Sequence, residues 1–346
     1  MIMLIKPKML QPGDKIATIS LSWGGAGEPD LRWRYEQGVE RLEKVFGLEV
    51  VAMPNSLKGS NYLYESPQAR AEDLMNAFKD TSIKGIVSNI GGSDSIRLLP
   101  YIDFEVIREN PKVFIGYSDA TVTHLFCHKA GISSFYGPAI LTDFAENVEM
   151  HEYTIESLKK TLFSNEVIGE IKPSPLWTSQ RLEWAIENKY ISREMNEDEK
   201  GYELLQGKGI VNGRLIGGCI EVLEFAKGTS LWPDKSYFKD SILFFETTED
   251  LPLPSNIEYW LRNYGTQGIL QEVKGIIFAK PQHEKYYEEY KESIITIMNE
   301  LGLNDLPILY NLNFGHTEPK FVIPYGAMAE INCEEVKFSI IDSGVE

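Results

Sequence analysis

Short apolar runs alternate with segments of helical spacing along the first part of the chain. Lys15 to Ser20 reads as a strand. Leu31, Tyr35, Val39, Leu42 and Val45 then recur at the spacing that lines one helical face, and Gly47 stops them. Leu48 to Met53 is a second strand. Ser66-Pro67 opens a helix through Phe78, with serine as cap and proline at the first helical position. Gly85 to Ile90 is a third strand ending in Gly91-Gly92, and Val113-Phe114-Ile115 reads as a further, buried one. This alternation predicts a mostly parallel sheet flanked by helices.

The pattern breaks from Glu166 to Gly209, where prolines, charges and two tryptophans replace periodicity. A connection this long is usually functional or disordered. Beyond it, Gly213 to Gly218, Ser241 to Phe245, Gly275 to Ala279 and Pro307 to Tyr310 are short strands, and Glu284 to Leu301 is an amphipathic helix. The expected class is α/β. An N-terminal parallel-sheet domain with flanking helices (1–165) is followed by an inter-domain connection and active-site loop (166–209). A smaller mixed α+β domain (210–346) completes the chain.

Composition narrows the function. The 346 residues carry 51 Asp+Glu against 34 Lys+Arg, a formal charge of −17. An acidic surface repels phosphate backbones, and no basic run with interleaved aromatics is present, so a nucleic-acid partner is not expected. No apolar run reaches the ~18 residues of a membrane span, and the stretch before Lys6 is too short for a signal-peptide core. The expectation is a cytoplasmic protein without a membrane partner. Cys127, Cys219 and Cys333 have no metal or redox spacing and read as buried, reduced thiols.

The chemistry is concentrated in Gly116-Tyr117-Ser118-Asp119-Ala120. It sits between a buried strand and a helix, Thr121 to Ala130, stopped by Gly131. A serine at such a turn has its hydroxyl lifted clear of the sheet, and the N–H after it lies at a helix N-terminus. Ala120 stands where the hydrolase elbow has its second glycine, and Ser-Asp is also a good helix cap. A nucleophilic serine needs a base. Of five histidines, His124 and His128 read as surface or core residues, and His151 and His283 as solvated. His316 lies on a polar turn, Asn313 to Pro319, just after a strand, where catalytic residues are commonly held. Glu246 ends an apolar strand and suits an orienting carboxylate, or a cap for Thr247-Thr248. Gly91-Gly92 suits close approach to backbone donors, or an ordinary tight turn.

Together these segments resemble the LD-carboxypeptidase family of serine peptidases. The resemblance rests on Ile90-Gly91-Gly92-Ser93-Asp94-Ser95, Gly116-Tyr117-Ser118-Asp119, Gly217-Gly218, Phe245-Glu246-Thr247 and Phe314-Gly315-His316, in that order, between Pro12-Gly13-Asp14 and Pro324-Tyr325-Gly326. It implies a triad of Ser118, Glu246 and His316 shared between two domains, and oxyanion donors on the backbone of Gly92 and Asp119. It also implies a homodimer. Gly91-Gly92-Ser93-Asp94-Ser95 and the loop from Trp177 to Trp184 resemble the microcin C self-immunity branch, in which a loop tryptophan stacks on the substrate's nucleobase. Substrate contacts are therefore expected at Trp184, then Trp177, and at Gly91. Cys219 departs from the asparagine often found after the second Gly-Gly, with Glu221 two residues on.

The expected activity is a serine carboxypeptidase-like hydrolase, with no metal and no organic cofactor, cleaving a C-terminal amide of a small peptide or, more specifically, a peptidyl- or aminoacyl-nucleotide. The alternatives are an LD-carboxypeptidase acting on a murein tetrapeptide and a non-catalytic nucleotide- or peptide-binding protein.

Overall fold

The first strand, β1 (Lys15–Ile19), is buried along four of its five positions, which is why it reads as a continuous apolar run. The computed structural model describes residues 4–346. In it, β1 pairs in parallel with β2 (Glu49–Ala52) and β3 (Ile83–Ser88). β4 (Val113–Gly116) joins β3, and β5 (Phe135–Tyr136) joins β4, again in parallel. The resulting order is 2-1-3-4-5, a doubly wound arrangement whose strand order reverses between β1 and β3. Ligands of such sheets bind beyond the carboxyl ends of the strands at that reversal. The segments that follow β1 and β3, Ser22-Trp23 and Gly91-Gly92, meet there: Trp23 donates its backbone N–H to Gly91 O at 3.2 Å.

The connection contains more regular structure than its sequence suggests. β6 (Gly169–Ile171) and β9 (Glu203–Gln206) form the two edges of a second sheet, and β7 (Leu176–Trp177) pairs with β8 (Asn196–Glu197). These strands are held by partners distant in sequence, such as β9 on the strand Ile308–Leu312, so local periodicity does not reveal them. The centre of the second sheet is four parallel strands: β10 (Ile210–Cys219), β11 (Ser241–Glu246), β12 (Gly275–Ala279) and β13 (Ile308–Leu312). β14 (Ile323–Pro324) crosses back to pair with β5 of the first sheet, while β15 (Met328–Asn332) and β16 (Lys337–Ile340) extend the second. The amphipathic helix runs over Tyr287–Glu300, a turn shorter at its start than its periodicity suggests.

The two sheets are locked together beside Ser118. Thr121, in the first turn of the helix after Ser118, accepts the Cys219 N–H at 3.1 Å. A Cβ on Gly218 would fall 2.7 Å from the Thr121 side chain, and one on Gly217 only 1.8 Å from the Phe244 carbonyl oxygen. Gly217 is thus required by backbone packed on backbone, and Gly218 by the close approach of the Thr121 side chain. No described helix is long and apolar enough to cross a membrane.

Candidate active site

Ser118 adopts φ of +61°, a left-handed conformation unusual for serine, at the step from β4 into a short 3₁₀ turn and the helix Thr121–Ala130. This strained turn is the local geometry of a nucleophile elbow. Gly116 permits it, because a Cβ there would lie 2.9 Å from the Ala120 Cβ. Alanine at position 120 is therefore small enough to close the elbow.

His124, one turn into the following helix, is fully buried and serves the scaffold. Its Nε2 bonds Gly116 O at 2.9 Å and its Nδ1 bonds the Ser134 hydroxyl at 2.8 Å. Burial pushes it down to about 3, so the imidazole is neutral and donates to the carbonyl from Nε2. His151 is half-buried beside Glu146, and His283 is exposed and bonded to Ser179 through Nδ1.

Gly91 packs directly against the serine, while Gly92 packs against Ser22 and the Trp23 backbone. A Cβ on Gly91 would stand 2.9 Å from Ser118 Oγ and 3.3 Å from the Asp119 backbone nitrogen. The Asp119 carboxylate fastens this loop by accepting the N–H groups of Asp94 and Ser95 at 3.1 and 2.9 Å, and Ser95 Oγ donates to Asp119 O. Gly91 and the Asp119 backbone nitrogen therefore meet beside Ser118, and Gly92 lines the same cavity as the serine.

The imidazole arrives from the second sheet. β11 ends in Glu246, which is buried, and the turn after β13 carries His316. His316 Nδ1 meets Glu246 Oε2 at 2.6 Å. Glycine at 315 makes room, since a Cβ there would press within 2.6 Å of the Glu246 side chain. Glu246 Oε1 accepts the Tyr136 hydroxyl, which in turn accepts the Ser118 N–H at 3.0 Å. Tyr117 lies edge-on to the His316 ring with centroids 5.0 Å apart.

The remaining nitrogen, Nε2, faces Glu249 Oε2 at 3.0 Å, and Glu249 is also paired with Arg181 at 2.7 Å. Burial alone would lower the His316 imidazole, but Glu246 and Glu249 lift it to about 10. The hydrogen bond from His316 in turn holds the Glu249 carboxyl well below the usual carboxylate range. Glu221 positions this turn, because its Oε1 accepts both the N–H and the hydroxyl of Thr248 at 2.8 Å.

Ser118, His316 and Glu249 line one cavity of about 730 Å³, together with Gly91, Gly92 and Trp184. Its far wall is aromatic: Trp184 stacks on Trp23 at 6.3 Å between centroids, and the Arg34 guanidinium lies 4.7 Å over the Trp184 ring. Trp177 lies elsewhere. It is buried, with Lys280 4.7 Å over its ring, and does not line the cavity. Tyr136, Glu249 and Trp23 carry no sequence signal that separates them from ordinary strand, turn and loop residues. Among the described residues, no group of three or more His, Cys, Asp or Glu is arranged to hold a metal ion.

Comparison with known proteins gives the same two-part division. Residues 16–137 match the LD-carboxypeptidase N-terminal domain, and residues 212–331 match the LD-carboxypeptidase C-terminal domain. The chain is 33% identical to an MccF-like protein from Streptococcus pneumoniae, solved in complex with AMP. The TM-score is 0.87, covering 94% of this chain and 98% of that one. It is 28% identical to the microcin C7 self-immunity protein MccF of Escherichia coli, over 89% of this chain and 88% of MccF. It is equally 28% identical to a probable murein peptide carboxypeptidase of Bacillus subtilis, over 98% and 95% of the two chains.

Proposed function

Because the chain belongs to the LD-carboxypeptidase family of peptidases, we propose that it is a serine hydrolase acting on a C-terminal amide through Ser118, His316 and Glu246. The observation that carries this reading is the meeting of three elements at one cavity. A serine in a left-handed elbow and an imidazole bonded to a buried carboxylate at 2.6 Å both line it, although they come from different sheets.

In the proposed reaction, His316 takes the Ser118 proton as Oγ bonds to the scissile carbonyl carbon. The backbone N–H groups of Gly92 and Asp119 receive the oxyanion. As the C–N bond breaks, His316 passes the proton to the leaving nitrogen. Water then attacks the serine ester and gives a proton to His316, which returns it to Ser118 Oγ as the acyl C–O bond breaks and the carboxylic acid product leaves. Glu246 fixes the imidazole by accepting from Nδ1 and balances the charge it acquires.

The proposed substrate is a peptidyl- or aminoacyl-nucleotide with an amide-like linkage. Two observations support it: the aromatic wall formed by Trp184 and Trp23, and the AMP held by the Streptococcus pneumoniae relative. A murein tetrapeptide is the second reading, favoured by the likeness to the Bacillus subtilis carboxypeptidase along nearly the whole chain. Cytoplasmic location and a homodimer belong to the same proposal; the first rests on the sequence pattern and the second on the family resemblance alone. Chromatographic assay of both substrate classes tests the function. Release of a nucleotide amine by wild type but not by Ser118→Ala supports the first reading, and release of the terminal D-residue from the tetrapeptide alone replaces it with the second. Turnover of neither removes both.

A further inference from the structure

Glu249 occupies the nitrogen that the proposed chemistry needs. His316 Nδ1 is taken by Glu246, so Nε2 is the atom that must serve Ser118 and the leaving group, yet Glu249 Oε2 stands 3.0 Å from it. A serine hydroxyl must itself come within about 3 Å of the base, and the attacked carbon within roughly 3–3.5 Å of the serine oxygen. The α-nitrogen of an acyl group lies only about 2.5 Å from its carbonyl carbon, given standard bond lengths. A carboxylate at Nε2 is therefore within contact distance of whatever the substrate carries at that α-position.

Two of the other carboxylates that line the cavity are committed to ion pairs, and the third, Glu183, is an exposed side chain on the connecting loop. Glu146 is paired with Arg193, and Glu318 with Arg193 and Lys320. Glu249 is half-buried, and its second partner, Arg181, is an exposed side chain on the connecting loop. The turn beneath it is fixed through Thr248 and Glu221, so Glu249 is delivered to the reaction centre while its carboxylate faces the cavity.

We propose that Glu249 is a specificity-determining residue that receives a free α-ammonium group on the acyl side of the scissile bond, selecting aminoacyl-nucleotides over N-blocked peptidyl-nucleotides. The inference rests on the acyl-transfer reading above. An α-ammonium drawn to Glu249 takes over the hydrogen bond that His316 gives to that carboxylate. The imidazole then keeps only Glu246 as an anionic partner, binds its proton less tightly, and turns Nε2 to Ser118. An amide at the same position offers no charge, so Glu249 stays on the imidazole and holds it protonated. Substrate selection and activation of the base become one event.

The test compares alanyl-sulfamoyl adenosine with its N-acetyl form at pH 7, where an α-amino group of ordinary pKa, about 7.7–8.0, is mostly charged. A hydrogen bond to a charged group corresponds to roughly a ten- to hundredfold preference in kcat/KM for the free amine. Glu249→Gln is expected to erase that preference by slowing the free-amine substrate and speeding the blocked one. Its acidic limb in kcat/KM against pH is expected to move to lower pH. Glu249→Asp, which keeps the charge, is expected to retain a preference. A wild type that uses both substrates equally, in a reaction lost in Ser118→Ala, overturns this inference alone. So does a Glu249→Gln enzyme that keeps the full preference. If the wild type turns over neither compound, the nucleotide-substrate reading falls and this inference with it; if turnover survives in Ser118→Ala, the serine-hydrolase reading falls and takes the inference too.

Discussion

The hydroxyl of Tyr136 donates to Oε1 of Glu246 and accepts the backbone N–H of Ser118 at 3.0 Å. One fully buried phenol at the end of β5 thus joins the elbow of the first sheet to the carboxylate of the second. Burial and the adjacent Glu246 charge both raise its proton affinity far above that of an ordinary tyrosine, so it remains a donor. Tyr136→Phe leaves the Ser118 N–H and one oxygen of Glu246 without a partner. A buried unsatisfied group costs about 1–3 kcal/mol. The variant is expected to melt several degrees lower and to lose at least tenfold in kcat, because both ends of the proposed triad lose a restraint. A melting curve and rate identical to wild type would show that the phenol does not couple the two sheets.

Ser118→Ala is expected to reduce turnover by at least a thousandfold while leaving the melting temperature within a few degrees, since loss of a nucleophile in such units costs roughly 10³–10⁶ in rate. His316→Ala is expected to lose a similar factor. The double variant should be little worse than either single one. Losses that multiply would show that the residues act separately.

The His316 imidazole gives a pH signature of stability. Despite burial, Glu246 and Glu249 lift it to about 10, against about 6.5 in an unfolded chain. The folded state holds the proton more tightly, so the stabilisation is fully present below about 6.5. It is lost as pH rises through about 10. Denaturant midpoints measured from pH 6 to 10 should therefore fall more steeply for wild type than for His316→Gln. Parallel slopes would mean that the charged pair with Glu246 and Glu249 does not form.

The two loop tryptophans should separate by substrate. Trp184 lines the cavity against Trp23, and stacking on a base is worth about 1–3 kcal/mol in nucleic-acid complexes. Trp184→Ala is expected to lose roughly ten- to a hundredfold in kcat/KM on a nucleotide-linked substrate and little on a plain peptide. Trp177 is buried against Lys280, so its replacement by alanine should lower stability and affect both substrates by one factor. A nucleotide-selective loss from Trp177→Ala would reverse these assignments.

The sequence alone determined the alternation of strands and helices in the first sheet, because buried parallel strands are apolar on both faces and their helices keep one apolar stripe. It also marked Ser118, Glu246 and His316, since each closes or follows an apolar strand where a polar residue stands out. Tertiary structure decided what those residues meet. Tyr136 sits in a two-residue strand with no pattern of its own, and only the packing of one sheet on the other delivers its hydroxyl to Glu246. Glu249 reads as one more acid on an acidic turn until Glu221 fixes Thr248 and places it at His316. Trp177 and Trp184 look alike as letters in one irregular connection. The first is buried with Lys280, which follows β12 of the second sheet, over its ring, while the reversal between β1 and β3 opens the cavity beside the second. Local periodicity records which face of an element is buried, but a site made where two sheets meet depends on contacts between residues a hundred or more positions apart.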